Sequence, residues 1–174
     1  MNSTLRNILN LPWKSFTKEA LDRSTIVAKF FCILHVTNTY ICSTTQVIGP
    51  SMFPTLNHNG DVCLIDRFSH RFGKVTQGDI VVVRSPDNPR KMITKRVLGL
   101  EGDPVTYMVD PGNSEETTTI VVPQGHVWVQ GDNIYASRDS RNFGPIPYGL
   151  VEGKVFYRIW PLIGLGTVEH GMWK

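Results

Sequence analysis

The sequence predicts a mainly β protein, with a barrel or sandwich core that follows a single N-terminal helix. Three observations support this fold class. Four Gly-Asp pairs divide the chain after residue 57, at residues 60–61, 78–79, 102–103 and 131–132. Short runs rich in valine, isoleucine and aromatic residues lie between these pairs, and one long apolar run precedes them. Short strands bounded by turn residues at this spacing are typical of all-β folds.

Length and composition set further limits. The 174 residues fit one domain with a short extension, and 41% hydrophobic residues suffice for a packed core. The net charge is only +3 and the cations are scattered, so we expect no nucleic-acid partner. Three cysteines without CxxC spacing, Cys32, Cys42 and Cys63, predict free thiols. The five histidines show no metal-ligand spacing, so neither a metal nor another cofactor is expected.

The N-terminal region predicts a helix that anchors the chain to a membrane. Residues 1–24 are polar and basic, and residues 25–45 form the predicted anchoring helix ahead of a β domain at 46–174. Twelve of the eighteen residues at 25–42 are apolar or aromatic. Lys29, His35 and Asn38 weaken this run as a membrane span, which leaves an interfacial or buried helix as the alternative. If the helix spans, the basic N-terminus stays on the negative side of the membrane.

The elements after residue 57 are seven predicted strands. Glycine tolerates positive φ and aspartate hydrogen-bonds to nearby backbone, so the Gly-Asp pairs mark the turns between them. The predicted strands are Val62–Arg67, Ile80–Arg84, Met92–Leu98, Val105–Val109, Thr118–Val122, His126–Gln130 and Lys154–Trp160.

The stretch Gly49–Leu56 predicts a stiff, irregular segment that carries a serine. Pro50 and Pro54 fix their own φ and keep the preceding residues out of the helical region. A stiff segment can hold the Ser51 hydroxyl at a fixed angle, as a nucleophile requires. The simpler interpretation is a surface turn that happens to contain a serine.

The strand Met92–Leu98 places one cation in an apolar setting. Because side chains alternate along a strand, Ile93, Lys95 and Val97 share one face and Arg96 lies on the other. Burial lowers the pKa of a lysine, and a fall of about 3 units makes it a base near neutral pH. Two solvated surface cations are the alternative interpretation of this pair.

The segment 131–144 concentrates polar groups directly after a strand. Hydroxyl, carboxylate and guanidinium side chains follow one another at Ser137, Asp139 and Arg141. A long solvated loop accounts equally well for this composition.

Three stretches together resemble the type I signal peptidases, membrane-bound serine proteases that use a Ser-Lys dyad. These are GPSMFPTL, ITKRVLGLEGD and PQGHVWVQGDNIYASRDSRNFGP, and GDIVVVR resembles a strand between them. The resemblance extends from residue 47 to about 160. The short link between the second and third stretches, and the ending RIWP, are most similar to mitochondrial inner membrane proteases of the subunit 1 type.

The resemblance implies roles for five residues. Ser51 corresponds to the nucleophile, Lys95 to the general base, and Ser137 to the serine that orients this lysine. Asp139 and Arg141 correspond to a supporting ion pair. Substrates are expected to bind as an added strand against small apolar pockets, for which the candidates are Met52, Phe53, Ile80 and Val82. Gly49 departs from the many bacterial members that carry there a serine donating to the oxyanion.

The resemblance also implies partners and a location. We expect presequence-bearing precursors as substrates, the lipid bilayer and a second related subunit as partners, and a catalytic domain at the mitochondrial inner membrane that faces the intermembrane space. The alternatives are a signal peptidase of another organelle and a non-catalytic subunit of such a protease. A self-cleaving Ser-Lys repressor lacks support in residues 1–45, and a Ser-His-Asp hydrolase that uses His58 or His126 lacks the G-x-S-x-G motif.

Overall fold

Helix α1 spans Trp13–Val36 in the computed structural model, which describes residues 13–73, 75–113 and 116–168. The chain divides into two compact units, residues 1–38 and 39–174. The helix ends where Thr37, Asn38 and Thr39 follow, because β-branched residues and asparagine are poor helix formers. Among the helices of the described residues, none has both the length and the apolarity needed to cross a membrane.

The boundaries of the N-terminal elements differ from the prediction. The helix begins twelve residues before residue 25, and a π-helical turn follows it at Thr37–Ile41. Residues 42–45, predicted as helical, belong to strand β1 (Cys42–Val47). Strand β1 pairs in antiparallel register with the next strand along its whole length, from Cys42 opposite Asp66 to Val47 opposite Asp61. Pairing with a distant segment therefore decides the conformation of these residues.

The β domain is built on one large sheet, and the predicted mainly β class is confirmed. Its strands, in addition to β1, are β2 (Asp61–Asp66), β3 (Ile80–Arg84), β4 (Met92–Gly99), β7 (His126–Gln130), β8 (Ile146–Pro147), β9 (Val151–Trp160) and β10 (Gly166–Thr167), with β5 (Pro104–Met108) and β6 (Thr117–Val121) in a separate hairpin. The order is β1-β2-β9-β3-β4-β7-β8, with β10 on β9, and neighbouring strands are antiparallel. All seven predicted strands are present within a few residues of their expected ends.

Strand β3 separates two apolar clusters. Ile80 and Val82 pack into a cluster with Met52 and Leu56, whereas Val81 and Val83 pack into another with Val97, Val127 and Val129. A third cluster lies beneath the β5–β6 hairpin, around Trp128. Because successive side chains point to opposite faces, a strand that is buried on both faces carries apolar side chains on both of them. Burial of both faces holds the centre of the sheet rigid where the candidate site is built.

Three of the four Gly-Asp pairs form turns, as predicted. Gly60, Gly78 and Gly102 have positive φ values of 101°, 93° and 85°. The aspartates that follow the first two accept backbone N–H groups, Asp61 from Asn57 and Asp79 from Thr76. The fourth pair, at 131–132, has a different role, which is to allow two segments of the candidate site to approach each other closely.

Candidate active site

The turn that carries Ser51 is fixed by its own hydrogen bonds and by two buried neighbours. Gly49 has a φ of 116°, which favours glycine, and Pro50–Met52 forms a 3-10 turn. The N–H of Phe53 donates to the Pro50 carbonyl, and the N–H of Leu56 donates to the Met52 carbonyl. Met52 and Leu56 are each only 1% exposed. The sequence thus anchors the turn through its apolar residues and leaves Ser51 at the surface of a cleft.

Ser51 and Lys95 line the same cleft, which has a volume of about 690 Å³. One wall is the end of β1 and the Ser51 turn, and a second is the β3–β4 hairpin. Ala136, Arg138 and Phe143 complete the lining. The structure therefore brings the two residues together from positions 44 residues apart in the sequence.

Lys95 is only 3% exposed, so the prediction of a buried cation is confirmed and the alternative of two solvated cations is wrong. It lies on β4 opposite Val81, and Ile93 and Val97 on its face pack into the same apolar cluster. The pKa of Lys95 is lowered to about 8, chiefly by burial; Lys91 and Arg141 contribute to the lowering, and Asp139 and Asp132 oppose it. Within the described residues, no carboxylate forms an ion pair with Lys95. The amine therefore loses its proton far more readily than an ordinary lysine.

Asp139 organises the loop beside Lys95. It is fully buried and forms a bidentate ion pair with Arg141, with nitrogen–oxygen distances of 2.8 and 2.9 Å. The Ser137 hydroxyl donates to Asp139 Oδ2 at 2.6 Å, and the Gly131 N–H donates to the same oxygen at 3.0 Å. Burial alone raises the pKa of Asp139, but the hydrogen bonds from Arg141, Gly131 and Ser137 outweigh it and leave this pKa below its usual value. In this structure the carboxylate therefore holds Ser137.

Gly131 allows two segments of the site to meet. A Cβ at this position would lie 2.2 Å from the Ser137 Oγ and 2.5 Å from the Ser51 carbonyl oxygen. The N–H of Asn133 donates to the same Ser51 carbonyl at 3.0 Å. The glycine of the fourth Gly-Asp pair therefore allows the Ser51 turn and the Ser137 loop to lie close together.

The sequence reasoning missed a second buried ion pair, between Arg96 and Asp132. Two arginine nitrogens lie 2.8 Å from the two carboxylate oxygens, and the two side chains are 3% and 2% exposed. Arg96 also donates to the Gly78 carbonyl, and the Thr55 hydroxyl donates to Asp132 at 2.5 Å. The sequence feature that indicates this ion pair is the Lys-Arg pair on an apolar strand. Because side chains alternate, the two cations lie on opposite faces, and each must be accommodated separately.

The four candidate pocket residues lie in different places. Val82 lines the cleft, and Met52 and Ile80 are core residues, 1% and 2% exposed, that do not line it. Phe53 is 53% exposed and lies outside the cleft lining. Further apolar lining comes from Val47, Ile48, Pro50, Met92, Ile93, Ala136 and Phe143.

Other chemistries find no support in the part of the chain that the structure describes. No histidine lines the cleft, and the His126 Nδ1 lies 2.9 Å from the Gln124 carbonyl. Within the described ranges, no group of three histidine, cysteine or carboxylate side chains could hold a metal ion. The three cysteines are free.

Comparison with known proteins identifies the family. A family model described as signal peptidase, peptidase S26, matches residues 21–111 and 108–160. The mitochondrial ATP-independent inner membrane protease subunit 1a of Arabidopsis thaliana is 58% identical, over 90% of this chain and 94% of its own. The mitochondrial inner membrane protease subunit 1 of Homo sapiens is 42% identical, over 81% and 83%. Subunit 2 of this protease from Danio rerio is 41% identical, over 78% and 75%.

These matches confirm the resemblance found in the sequence. The family model covers both the Ser51 turn and the loop of Asp139, and the relatives are similar over most of their own length. The chain belongs to the signal peptidase family, peptidase S26.

Proposed function

We propose that the chain is a serine endopeptidase of the mitochondrial inner membrane that removes presequences with a Ser51–Lys95 dyad. The observation that carries the dyad is a buried lysine that opens onto the cleft of Ser51 and has no ion-pair partner among the residues that the structure describes. A pKa of about 8 leaves a useful fraction of Lys95 neutral near physiological pH. Family membership and the similarity to subunit 1 proteins support the processing function.

In the proposed reaction, neutral Lys95 takes the Ser51 proton while Ser51 Oγ attacks the scissile carbonyl carbon. Lys95 then protonates the leaving amine, and water hydrolyses the acyl-enzyme with Lys95 again as base. Asp139, held by Arg141, positions Ser137 and the loop beside the lysine. The Ser51 N–H is the local donor to the oxyanion. Gly49 offers no hydroxyl for a second bond, whose absence costs roughly 3 kcal/mol of barrier stabilisation unless another group supplies it.

The substrate is proposed to bind as a strand along the cleft edge of β4. Strand β7 pairs with β4 only from Arg96 onward, so Met92–Lys95 has β3 on one side and the cleft on the other. An extended peptide can use such an edge for main-chain hydrogen bonds, while side-chain pockets select the residues before the cut. Val82 and Ile93 are apolar lining residues suited to small side chains.

We further propose that residues 25–42 associate the chain with the inner membrane, and that the catalytic domain faces the intermembrane space. The exposed apolar side chains of α1, which include Ile26, Phe30, Phe31 and Ile33, support a bilayer partner. The similarity to subunit 2 proteins as well as subunit 1 proteins supports a heterodimer with a related subunit. Carbonate extraction of mitochondria tests the membrane claim, since release of the protein into the supernatant would contradict it. Protease protection in mitoplasts tests the orientation.

The decisive experiment compares variants of the purified protein on a presequence-bearing precursor. Ser51→Ala and Lys95→Met are each expected to abolish processing, while circular dichroism shows an unchanged fold. Lys91→Met is the matched control, because Lys91 lines the same cleft but is exposed. Full processing by Lys95→Met, or its loss in His126→Ala, would overturn the assignment. A chain inactive on every precursor would instead favour the non-catalytic subunit.

A further inference from the structure

The turn that carries the candidate nucleophile is part of a longer loop, residues 49–58, which is closed at its base. The N–H of Gly49 donates to the His58 carbonyl at 3.3 Å, so the two ends of the 49–58 loop lie next to each other. Within the loop, the N–H of Leu56 donates to the Met52 carbonyl at 2.9 Å. A shift of the second half of the loop is therefore passed on to the residue next to the candidate nucleophile.

An ion pair between Asp61 and Arg158 holds the second half of this loop. Asp61 is fully buried, and its Oδ2 lies 2.8 Å from Arg158 Nη1. The two carboxylate oxygens also accept the N–H of Asn57 at 3.1 Å and its side-chain amide at 2.9 Å. Arg158 in turn donates to the Thr55 carbonyl at 3.3 Å and to the Gly164 carbonyl at 2.7 Å. Both partners of the ion pair thus contact the loop as well as each other.

Thr55 is held from two sides. Its carbonyl accepts from Arg158, and its hydroxyl donates to Asp132 at 2.5 Å. Asp132 belongs to the ion pair with Arg96, the residue that follows Lys95 on β4. The loop that carries the candidate nucleophile and the strand that carries the candidate base are therefore joined through one threonine.

Stability alone does not account for an ion pair at this place. A buried ion pair is often no more stabilising than apolar side chains of similar volume. Its hydrogen bonds, however, are directional and fix the position of the groups that they join. Three of the bonds made by Asp61 and Arg158 end on Thr55 and Asn57. The pair is therefore suited to set the geometry of the loop.

We propose that Asp61 and Arg158 are positioning residues, which hold the 49–58 loop so that Ser51 lies correctly against Lys95. This proposal rests on the dyad proposed above. Neither positioning residue lines the cleft of the dyad, and both line another cavity, of about 640 Å³. They act on the reaction through the backbone of the loop.

The test measures kcat and KM of the full chain on a presequence peptide, at a temperature where circular dichroism shows each variant folded. Arg158→Met should lower kcat by roughly 100-fold with KM unchanged within about two-fold, because a misplacement of about 1 Å has an effect of this size. Arg67→Met is the matched control and should keep the wild-type kcat. The Arg67 side chain is 29% exposed, against 21% for Arg158, and its partners Glu152 and Ser43 lie outside the loop.

Arg158→Lys separates positioning from a merely structural role. The ammonium group keeps a charge opposite Asp61 but lacks the planar fork of a guanidinium. The folding stability of this variant should therefore be closer to that of the wild type than the stability of Arg158→Met, while its kcat stays between the two. Asp61→Asn keeps the volume of the side chain and should also lower kcat at unchanged KM, which gives the same comparison if Arg158→Met does not fold. Wild-type kcat in Arg158→Met, or in both Arg158→Lys and Asp61→Asn, overturns the proposal.

Amide hydrogen exchange distinguishes failure of this proposal from failure of the protease assignment. The N–H groups of Gly49, Leu56 and Asn57 should exchange roughly ten-fold faster in Arg158→Met, the effect of losing about one hydrogen bond, and should not change in Arg67→Met. Equal exchange in the wild type and both variants overturns the proposal even where activity is lost. If the wild type cleaves no presequence peptide while exchange follows Arg158, the ion pair still holds the loop and the protease assignment fails.

Discussion

Arg96 and Asp132 form a bidentate ion pair that is almost completely buried, directly beside the candidate base in the sequence and the candidate nucleophile turn in space. Thr55 joins the pair through its hydroxyl, so β4, the Ser51 turn and the loop after β7 are held by one group of side chains. The chain thus uses its two adjacent cations differently. Arg96 has a buried carboxylate partner, whereas Lys95 has no ion-pair partner within the described ranges and its pKa is lowered to about 8, chiefly by burial.

Asp132→Ala should lower the free energy of unfolding by about 3–5 kcal/mol, because it leaves the Arg96 charge buried without its carboxylate partner. Denaturant unfolding followed by circular dichroism measures the change. The exposed pair of Arg84 and Glu152 provides the control, and Arg84→Ala should cost less than about 1 kcal/mol. Similar losses in both variants would show that Asp132 does not hold the site together.

The rate of peptide cleavage should rise with pH and reach half of its plateau near pH 8. Lys95 must be neutral to accept the Ser51 proton, and its pKa of about 8 sets the fraction that is neutral. The measurement is kcat/KM on a presequence peptide between pH 6 and about 10, below the ordinary lysine pKa of about 10.4. A profile that is flat across this window would contradict Lys95 as the base.

Lys95→Met should stabilise the folded chain by about 3 kcal/mol at pH 7 while it abolishes activity. The folded-state pKa of about 8 lies below the unfolded value of 10.5, so the folded chain binds fewer protons between these two values. The stability of the wild type should therefore increase as pH rises from about 8 to 10.5, and that of the variant should not. Unfolding curves at several pH values compare the two. Parallel pH dependence would mean that Lys95 is not the group responsible.

Gly131→Ala should impair cleavage, and it should also lower the free energy of unfolding by about 1–3 kcal/mol because the site is overpacked. The added methyl group would contact the Ser137 Oγ and the Ser51 carbonyl, and it would push the two segments apart. A misplacement of about 1 Å can cost on the order of 100-fold in rate. Gly149→Ala is the control, because no atom lies within 4 Å of its added Cβ. The comparison uses kcat at saturating peptide, and equal values for the two variants would contradict the role of Gly131.

Local patterns were sufficient to predict most of the strands. Ile80–Arg84 and His126–Gln130 have the observed bounds, because each is a β-rich run between strong turn residues. The placement of Lys95 between Ile93 and Val97 follows from alternation along a strand, and the structure confirms it.

Features that depend on distant pairing could not be predicted. Strand β1 reads as a continuation of the apolar helix until its partner β2 is known. The sequence makes Met52 and Ile80 candidates for pocket walls. The type of a side chain does not show whether it faces the cleft or the core, and both of these side chains pack into the core. The Arg96–Asp132 pair joins residues 36 positions apart, a contact that spacing alone does not reveal.

Strand β1 also works as a spacer of fixed length. Its six residues rise by roughly 20 Å in total, and Ser51 follows four residues after its end. With the chain held at the bilayer ahead of β1, as proposed, the nine steps from Cys42 to Ser51 limit the distance of Ser51 from that surface to at most about 32 Å. A precursor bound at the same surface therefore has to present its scissile bond within this distance.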